Sequence, residues 1–508
     1  MKKELFRIIS FILALIALTF SFTACANTNT GDETSAENAD TVSPNTGAVT
    51  GDGAVTDEWG RPYIESPIKA GTKLPDGSVI TVLMREEDTW NRELYAETES
   101  GDMLNDEIYK RNLQLEQSLN FTFEFIESAG KDDSRTTVMA EYESGGTMGI
   151  DLVSNYAYYA TTAVLRDCYA NLYDVTTMNV SNPWWNQTYI EAATIKDQLY
   201  FIVGDLNLTC IDRAFVIYYN ATLANDYQIG NLYDTVLDGQ WTIDLLLQYT
   251  KDAWNDVNQS GGADLADAVG LLVGGGAESY DGFLTAFGID ILAKTADDGL
   301  EIVWDPDKVS SAIDYNIALL DDKNGTYTDS DDAHQINKFT NNEALFWLTY
   351  IYPDAESNQA LRNMSASYGL LPLPKYNLDQ QNYYTTAQDA YSVMSIMATS
   401  SHIDEVGIVF EEWNYRSYMD ILPAYCEVIM KTRYLNDAES GMIFDLIRYS
   451  IKFDTGMVYG SDIDSIATST RDIVRSGNNN FSSVYKAKQR TYNTRIKQLL
   501  EDFEARVQ

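Results

Sequence analysis

The stretch D-V-N-Q-S-G-G-A-D-L-A-D, Asp256 to Asp267, places oxygen-bearing side chains at loop positions 1, 3, 5, 9 and 12: Asp256, Asn258, Ser260, Asp264 and Asp267. Gly261 falls at position 6, where such a loop must turn sharply, and Gly262 would add a backbone carbonyl. Calcium takes several oxygens at once, and this spacing wraps a loop around one ion. The loop can be read as a site for a structural Ca2+ or as a polar helix-to-strand turn. Ser260 in place of a carboxylate or amide, and Asp267 in place of a longer bidentate Glu, depart from the pattern.

Other chemistry-bearing residue types are scarce or scattered. The chain has 2 histidines, His334 and His402, so a three-histidine zinc site cannot be built, and no C-x-x-C supplies ligand spacing. Neither histidine sits in a recognisable Ser-His-Asp context. A glycosidase needs only carboxylates, and 76 Asp and Glu residues leave that reading open. Of the 4 cysteines, Cys168, Cys210 and Cys426 are expected to be small buried side chains rather than a disulfide framework. A net charge of −41 argues against nucleic acid as a partner, because phosphate binding needs Lys and Arg. No cofactor is required by any motif.

The elements that would position these residues begin after a leader. Residues 1–25 have a basic start, a short apolar run and a small-residue site, which together make an export signal. The site T-A-C looks like a bacterial lipobox, with Phe22 where the usual pattern has Leu, so Cys25 is the expected lipidated residue. Residues 26–58 carry no aromatic residue, Lys or Arg before Trp59 and are expected to be a disordered tether. The body beyond is large enough for more than one core. Ser78–Met84 is a β-branched apolar run, Asn105–Asn120 has helical spacing and Phe121–Ile126 alternates. Val138–Tyr142 is helical again, and Asp151–Asn155 reads as a strand. Strand, helix, strand, helix, strand predicts a parallel sheet covered by helices, with ligands at the carboxyl ends of its strands. Farther on, Ile243 onward reads as a helix capped by Thr242, with Trp241 stapled onto Leu246.

The segments N-P-W-W-N (Asn182–Asn186), Q-L-Y-F-I-V-G-D (Gln198–Asp205), V-I-Y-Y-N (Val216–Asn220) and G-Q-W-T (Gly239–Thr242) then form a pattern with the D-x-N-x-S-G turn. It continues in F-T-N-N-E-A-L-F-W (Phe339–Trp347), Y-G-L-L-P-L-P-K (Tyr368–Lys375) and L-P-A-Y-C-E-V-I-M-K-T-R-Y (Leu422–Tyr434). D-A-E-S-G-M-I-F-D-L-I (Asp437–Ile447) closes it. In this order they resemble family 1 extracellular solute-binding proteins, in particular Gram-positive lipoproteins that capture sugars for ABC importers. The resemblance implies an α/β, two-lobed periplasmic-binding-protein-like fold (type 2) with a ligand cleft and a hinge. It places an N-lobe at 60–210 and 385–430 and a C-lobe at 211–384 and 436–508. It also implies no catalysis, a monomer at the extracellular face of the membrane, and an importer permease as partner.

A sugar presents flat C–H faces and a rim of hydroxyls, which aromatic rings and carboxylates, amides or Arg can meet. The chain is 12% aromatic, with 34 tyrosines and 9 tryptophans. By position within the implied lobes, the expected ligand-binding residues are Trp90, Asn155 and Tyr156 after N-lobe strands, and Asp212 and Arg213 at a crossing. Glu278 and Tyr280 follow Gly274–Gly276, Trp347 and Tyr350 follow an apolar run, and Asp389 lies near the return crossing. Trp185 follows Pro183 and Trp184; one ring is expected in the core and Trp185 at the cleft rim, with packing of both as the alternative. An oligopeptide or other polar solute, a surface glycoside hydrolase and a surface adhesin are the competing readings.

Overall fold

A computed structural model describes residues 48–49, 55–56, 61, 63–86, 91–352, 355–434 and 438–506. The leader, Cys25 and Trp90 lie outside the described residues. The chain divides into units Met1–Tyr63 and Ile64–Gln508. In the first, Ala48–Val49 pairs antiparallel with Val55–Thr56, where composition alone predicts no order.

The second unit holds the sheets. β1 (Ser78–Arg85), β2 (Phe121–Ser128), β3 (Leu152–Tyr156) and β9 (Ser392–Ile396) form one sheet in the order β2-β1-β3-β9. β1 pairs parallel with β2 and β3, and β9 returns antiparallel to β3. From Ile80 onward β1 is buried, as a strand covered on both faces should be, which is why it reads as an unbroken apolar run. The helix α1 (Met103–Leu119) joins β1 to β2. Asp102 caps it by accepting from Leu104 N and Asn105 N, and Ile108, Leu115 and Leu119 are buried. It stops at Asn120, whose φ of 62° is left-handed, and β2 starts on the next residue. The helix α2 (Lys131–Glu143) follows β2 with Asp132 and Asp133 in its first turn.

β4 (Phe215–Asn220), β5 (Val269–Gly274), β6 (Thr326–Asp329), β7 (Ala344–Tyr350) and β8 (Tyr368–Leu371) form the other sheet, in the order β6-β5-β7-β4-β8. β5 is parallel to β6 and β7, whereas β4 runs antiparallel to β7 and β8. The helix α3 (Ile243–Ala253) starts where the sequence places it, but Thr242 makes no side-chain cap bond; its backbone instead pairs with Lys375. Trp241 is buried, and its Nε1 donates to Pro372 O at 2.9 Å.

The chain crosses between the sheets in segments that pair with one another. Ala214 bridges Ala387, Thr385 bridges Ile451, Phe215 N donates to Thr386 O at 3.1 Å, and Gln388 N donates to Arg213 O at 2.9 Å. Backbone ladders confined to a few residues are what a hinge requires, because few φ/ψ changes then separate one arrangement from another. The helix α4 (Ile403–Arg416) runs on through Ser417–Ile421 and packs against α1. The terminal helix α5 (Phe481–Glu504) does not pack on the second lobe alone. Phe481 lies 5.6 Å from the Trp304 ring, while Phe503 lies 5.8 Å from Tyr200 and its carbonyl accepts from Gln198 Nε2. Among the described residues no helix is long and apolar enough to cross a membrane.

Candidate ligand-binding cleft

The carboxyl ends of β1, β2 and β3 open onto a cleft lined by Arg85, Gly130, Asp132, Asp133 and Tyr156, faced by Arg213 and Tyr350 and floored by Gln388 and Ala390. It encloses about 1290 Å³ of space continuous with solvent. Each wall follows from topology: parallel strands end on one side, and the residue after each strand is released from the ladder. Arg85 ties β1 to the return crossing, donating through Nη2 to Ala390 O at 3.0 Å and Ser392 Oγ at 2.8 Å. Its guanidinium lies 5.6 Å from the Tyr156 ring. Tyr156, Tyr158 and Tyr159 form an aromatic group, with Tyr158 and Tyr159 centroids 5.2 Å apart. On the opposite wall Arg213 stands 5.4 Å over the Tyr350 ring. Aromatic faces beside acids, amides and guanidinium groups can cover a C–H face and bind hydroxyls together.

Gln388 also lines an inner recess, with about 910 Å³ of space that includes open solvent, bordered by Tyr158, Asp281, Asp389 and Arg471 and walled by Phe215, Leu284, Ile291, Phe453 and Met457. Tyr156 Oη donates to Asp389 Oδ1 at 3.2 Å. Burial, and then Asp389, push the Tyr156 phenol above its ordinary pKa, so it stays a hydrogen-bond donor. Arg471 meets Asp281 with both sides of its fork, Nε to Oδ1 at 2.6 Å and Nη2 to Oδ2. Burial opposes the Arg471 charge, but Asp281, Asp389 and Tyr156 hold its pKa up, which places it electrostatically across from the Tyr156–Asp389 pair.

Beside the hinge, buried polar groups pair with one another. Asp212 is buried, pairs with Arg92 and accepts from Tyr425 Oη, and Arg92 lies 4.0 Å from the Tyr352 ring. Glu93 is buried too; it accepts from Thr209 N at 2.6 Å and Thr209 Oγ1 at 3.1 Å, and Thr209 Oγ1 accepts from Ser392 N at 3.0 Å. Burial raises the Glu93 carboxyl to about 7 against these hydrogen bonds.

The fold brings Tyr156, Arg213, Tyr350 and Asp389 together, although they come from four distant parts of the chain. Other expected ligand residues belong elsewhere. Trp185 is buried rather than at the rim: its Nε1 donates to Glu411 Oε2 at 3.1 Å and its ring meets Phe410 at 5.0 Å. Trp184 is buried against Tyr415 and Tyr418, so both rings serve the α4 segment. Trp347 sits in the core with Nε1 on Gln335 Oε1 at 3.0 Å. Asn155 is turned inward, its Nδ2 donating to Tyr169 Oη at 2.9 Å, and Asp212 is committed to its ion pair. Tyr280 is half-buried, with Arg475 5.1 Å over its ring. Glu278 lies in the turn Ala277–Ser279, and its side chain is outside the described residues. Asp132 and Asp133 were missed although they follow β2, and the rule that strand ends line clefts would have found them. Asp281 and Arg471 had no signal, since only folding brings them to the hinge.

The Asp256–Asp267 loop is organised by its own turns. Ser260 N donates to Asp256 Oδ1 and Asn258 Oδ1, Gly261 N to Asp256 Oδ2, and Ser260 Oγ to Gly262 O at 2.8 Å. Asn258 Nδ2 donates to Asp264 Oδ2 at 2.8 Å. Asp267 turns away to accept from Trp254 Nε1 at 3.1 Å and Val257 N at 2.9 Å, and the Lys338 ammonium donates to Asp267 O and Leu265 O. Among the described residues no three Asp, Glu, His or Cys side chains converge to hold a metal ion. In this arrangement the loop's side chains bond one another and nearby backbone.

The chain matches no protein-family model and no curated protein sequence. Solved structures do match. The GacH receptor of Streptomyces glaucescens, solved unliganded and with acarbose, is similar at TM-score 0.54 and 9% identity over 83% of this chain and 99% of that one. The galacto-N-biose-/lacto-N-biose I-binding protein of an ABC transporter from Bifidobacterium longum, solved with lacto-N-biose, is similar at 0.55 and 13% over 84% and 98%. The maltose/maltodextrin-binding domain MalE from Bdellovibrio bacteriovorus, bound to maltotriose, is similar at 0.52 and 13% over 82% and 100%. The fold is therefore the α/β, two-lobed fold of periplasmic binding proteins.

Proposed function

We propose that this protein is an extracellular solute-binding protein that captures a sugar or oligosaccharide between its lobes and hands it to an ABC importer. The observation that carries this reading is the cleft, in which Tyr156, Asp389, Arg213 and Tyr350 converge from both sheets and a crossing segment. The similar structures, solved with acarbose, lacto-N-biose and maltotriose, support the same class. In this reading the lobes are 60–210 with 385–430, and 211–384 with 436–508, the terminal helix touching both. A ligand that contacts both walls stabilises the closed arrangement by differential contact. The lipid anchor at Cys25, the position at the cell surface, the importer permease as partner and the absence of turnover belong to the same proposal.

The test is a thermal-shift and calorimetric screen of the chain from Asp57 onward against mono- and oligosaccharides, with the sugar recovered afterwards. A ligand at a hundredfold excess over its Kd adds about 2.7 kcal/mol to stability. A shift with one sugar class, lost in Tyr156→Phe combined with Asp389→Asn, and sugar recovered intact, upholds the proposal. Cleaved sugar replaces it with the hydrolase reading, and no shift across the panel removes carbohydrate as the ligand.

A further inference from the structure

The outer cleft and the inner recess differ in chemistry. The outer cleft carries Arg85, Asp132, Asp133, Tyr156 and Arg213. The recess beyond Asp389 is walled by Phe215, Leu284, Ile289, Ile291, Phe453 and Met457. Three of its hydroxyls are already directed at other protein atoms. Thr285 Oγ1 points at Met457 Sδ at 3.5 Å, Thr386 Oγ1 at the same sulfur at 3.9 Å, and Ser461 Oγ lies 3.2 Å from Thr161 Oγ1 and from Asp462 Oδ2. The charged groups stand at its border, where Asp389 holds Tyr156 and Arg471 holds Asp281.

A sugar ring pushed into this recess would lose water from several hydroxyls and set most of them against the apolar walls, which is unfavourable for each left unpaired. An apolar group there gains what the sugar would lose, since covering the apolar walls takes them and the group out of water. We propose that the ligand is amphipathic: a hydroxyl-bearing head in the outer cleft and an apolar substituent of aryl size in the recess, as in an aryl glycoside. The Tyr156–Asp389 pair then stands at the junction, where the glycosidic oxygen passes from one environment to the other. Met457, an unbranched and polarizable side chain at the wall, adapts the recess to rings of differing outline. The inference rests on the reading of the cleft as a carbohydrate site.

The experiment is isothermal calorimetry on the chain from Asp57 onward with matched methyl and p-nitrophenyl glycosides of glucose, galactose, mannose and xylose, and with phenol alone. For the sugar that binds, the aryl glycoside is expected to bind about ten- to a hundredfold more tightly than the methyl glycoside, the gain of burying one ring. Phenol is expected to compete with the aryl glycoside and not with the methyl glycoside. Ala467→Leu, which narrows the recess from its wall, is expected to abolish the aryl preference and leave methyl glycoside affinity in place. Equal affinity for methyl and aryl partners overturns the inference and leaves the carbohydrate reading standing. If no glycoside binds, the carbohydrate reading fails, and phenol then reports on the recess alone: binding sustains an apolar subsite and no binding overturns it. The phenol competition decides the matter in the wild-type chain if Ala467→Leu does not fold.

Discussion

Replacing Glu93 with Gln is expected to flatten the pH dependence of stability on the acid side of neutrality. Glu93 is enclosed between Thr209 of one crossing and Ser392 at the start of the return strand. The groups facing it are the Arg111 guanidinium, which donates to its backbone carbonyl at 3.0 Å, and Asp212, whose charge opposes its ionisation. Its carboxyl rises from its ordinary 4.5 to about 7 on folding. A carboxyl raised on folding holds a proton in the native state that the unfolded chain has already released. Its contribution is therefore complete below pH 4.5 and is lost as pH rises through about 7. The full shift corresponds to about 3 kcal/mol, of which about 2 to 3 kcal/mol falls between pH 5 and pH 8. Arg111, lowered to about 9 by its own burial, keeps its charge across most of that interval. Asp454, raised to about 6, contributes a slope of the same sign, but it is common to both proteins and cancels in the difference. The assay is urea unfolding of wild type and Glu93→Gln at pH 5 and pH 8. The wild type should lose about 2 to 3 kcal/mol more than the variant over that range. Parallel profiles would refute the assignment of a proton to Glu93.

Trp185→Ala is expected to cost about 3–5 kcal/mol in denaturant unfolding, from a cavity beside Phe410 and a lost bond to Glu411, with sugar affinity of the folded fraction unchanged. Asp212→Asn leaves the Arg92 charge facing Tyr352 and Tyr425 without its anion. A loss of about 2–4 kcal/mol is expected, less than for a fully enclosed pair because the Arg92 side chain is 22% exposed. Calcium measured against EDTA is expected to leave the melting temperature unchanged, because the Asp256 loop is held by its own turns; a rise of several degrees that Asp256→Ala removes would show that the loop rearranges around the ion.

What the sequence determined by itself was the local order of the first sheet and the side on which the cleft opens. β1, α1, β2, α2 and β3 follow from apolar runs and helical spacing that are local properties of the chain, and each was legible to within a few residues or as a fragment of the full element. Tyr156 was legible for the same reason, as the last residue of a parallel strand. Position beside a strand end does not say which way a side chain turns, and there the reading failed. Asn155 and Tyr156 are neighbours, and one faces the core while the other faces the cleft, because successive side chains of a strand alternate. Trp185 and Trp347 carry the ring type suited to sugar, yet an indole with a buried partner for its N–H is as well suited to a core, and the partners Glu411 and Gln335 are set by tertiary packing. Only the tertiary structure decided the rest of the cleft. Arg471 reaches Asp281 and the Tyr156–Asp389 pair across long stretches of chain. The crossings that place them are held by isolated backbone bridges such as Ala214 to Ala387, which leave no periodic trace in the residues that make them.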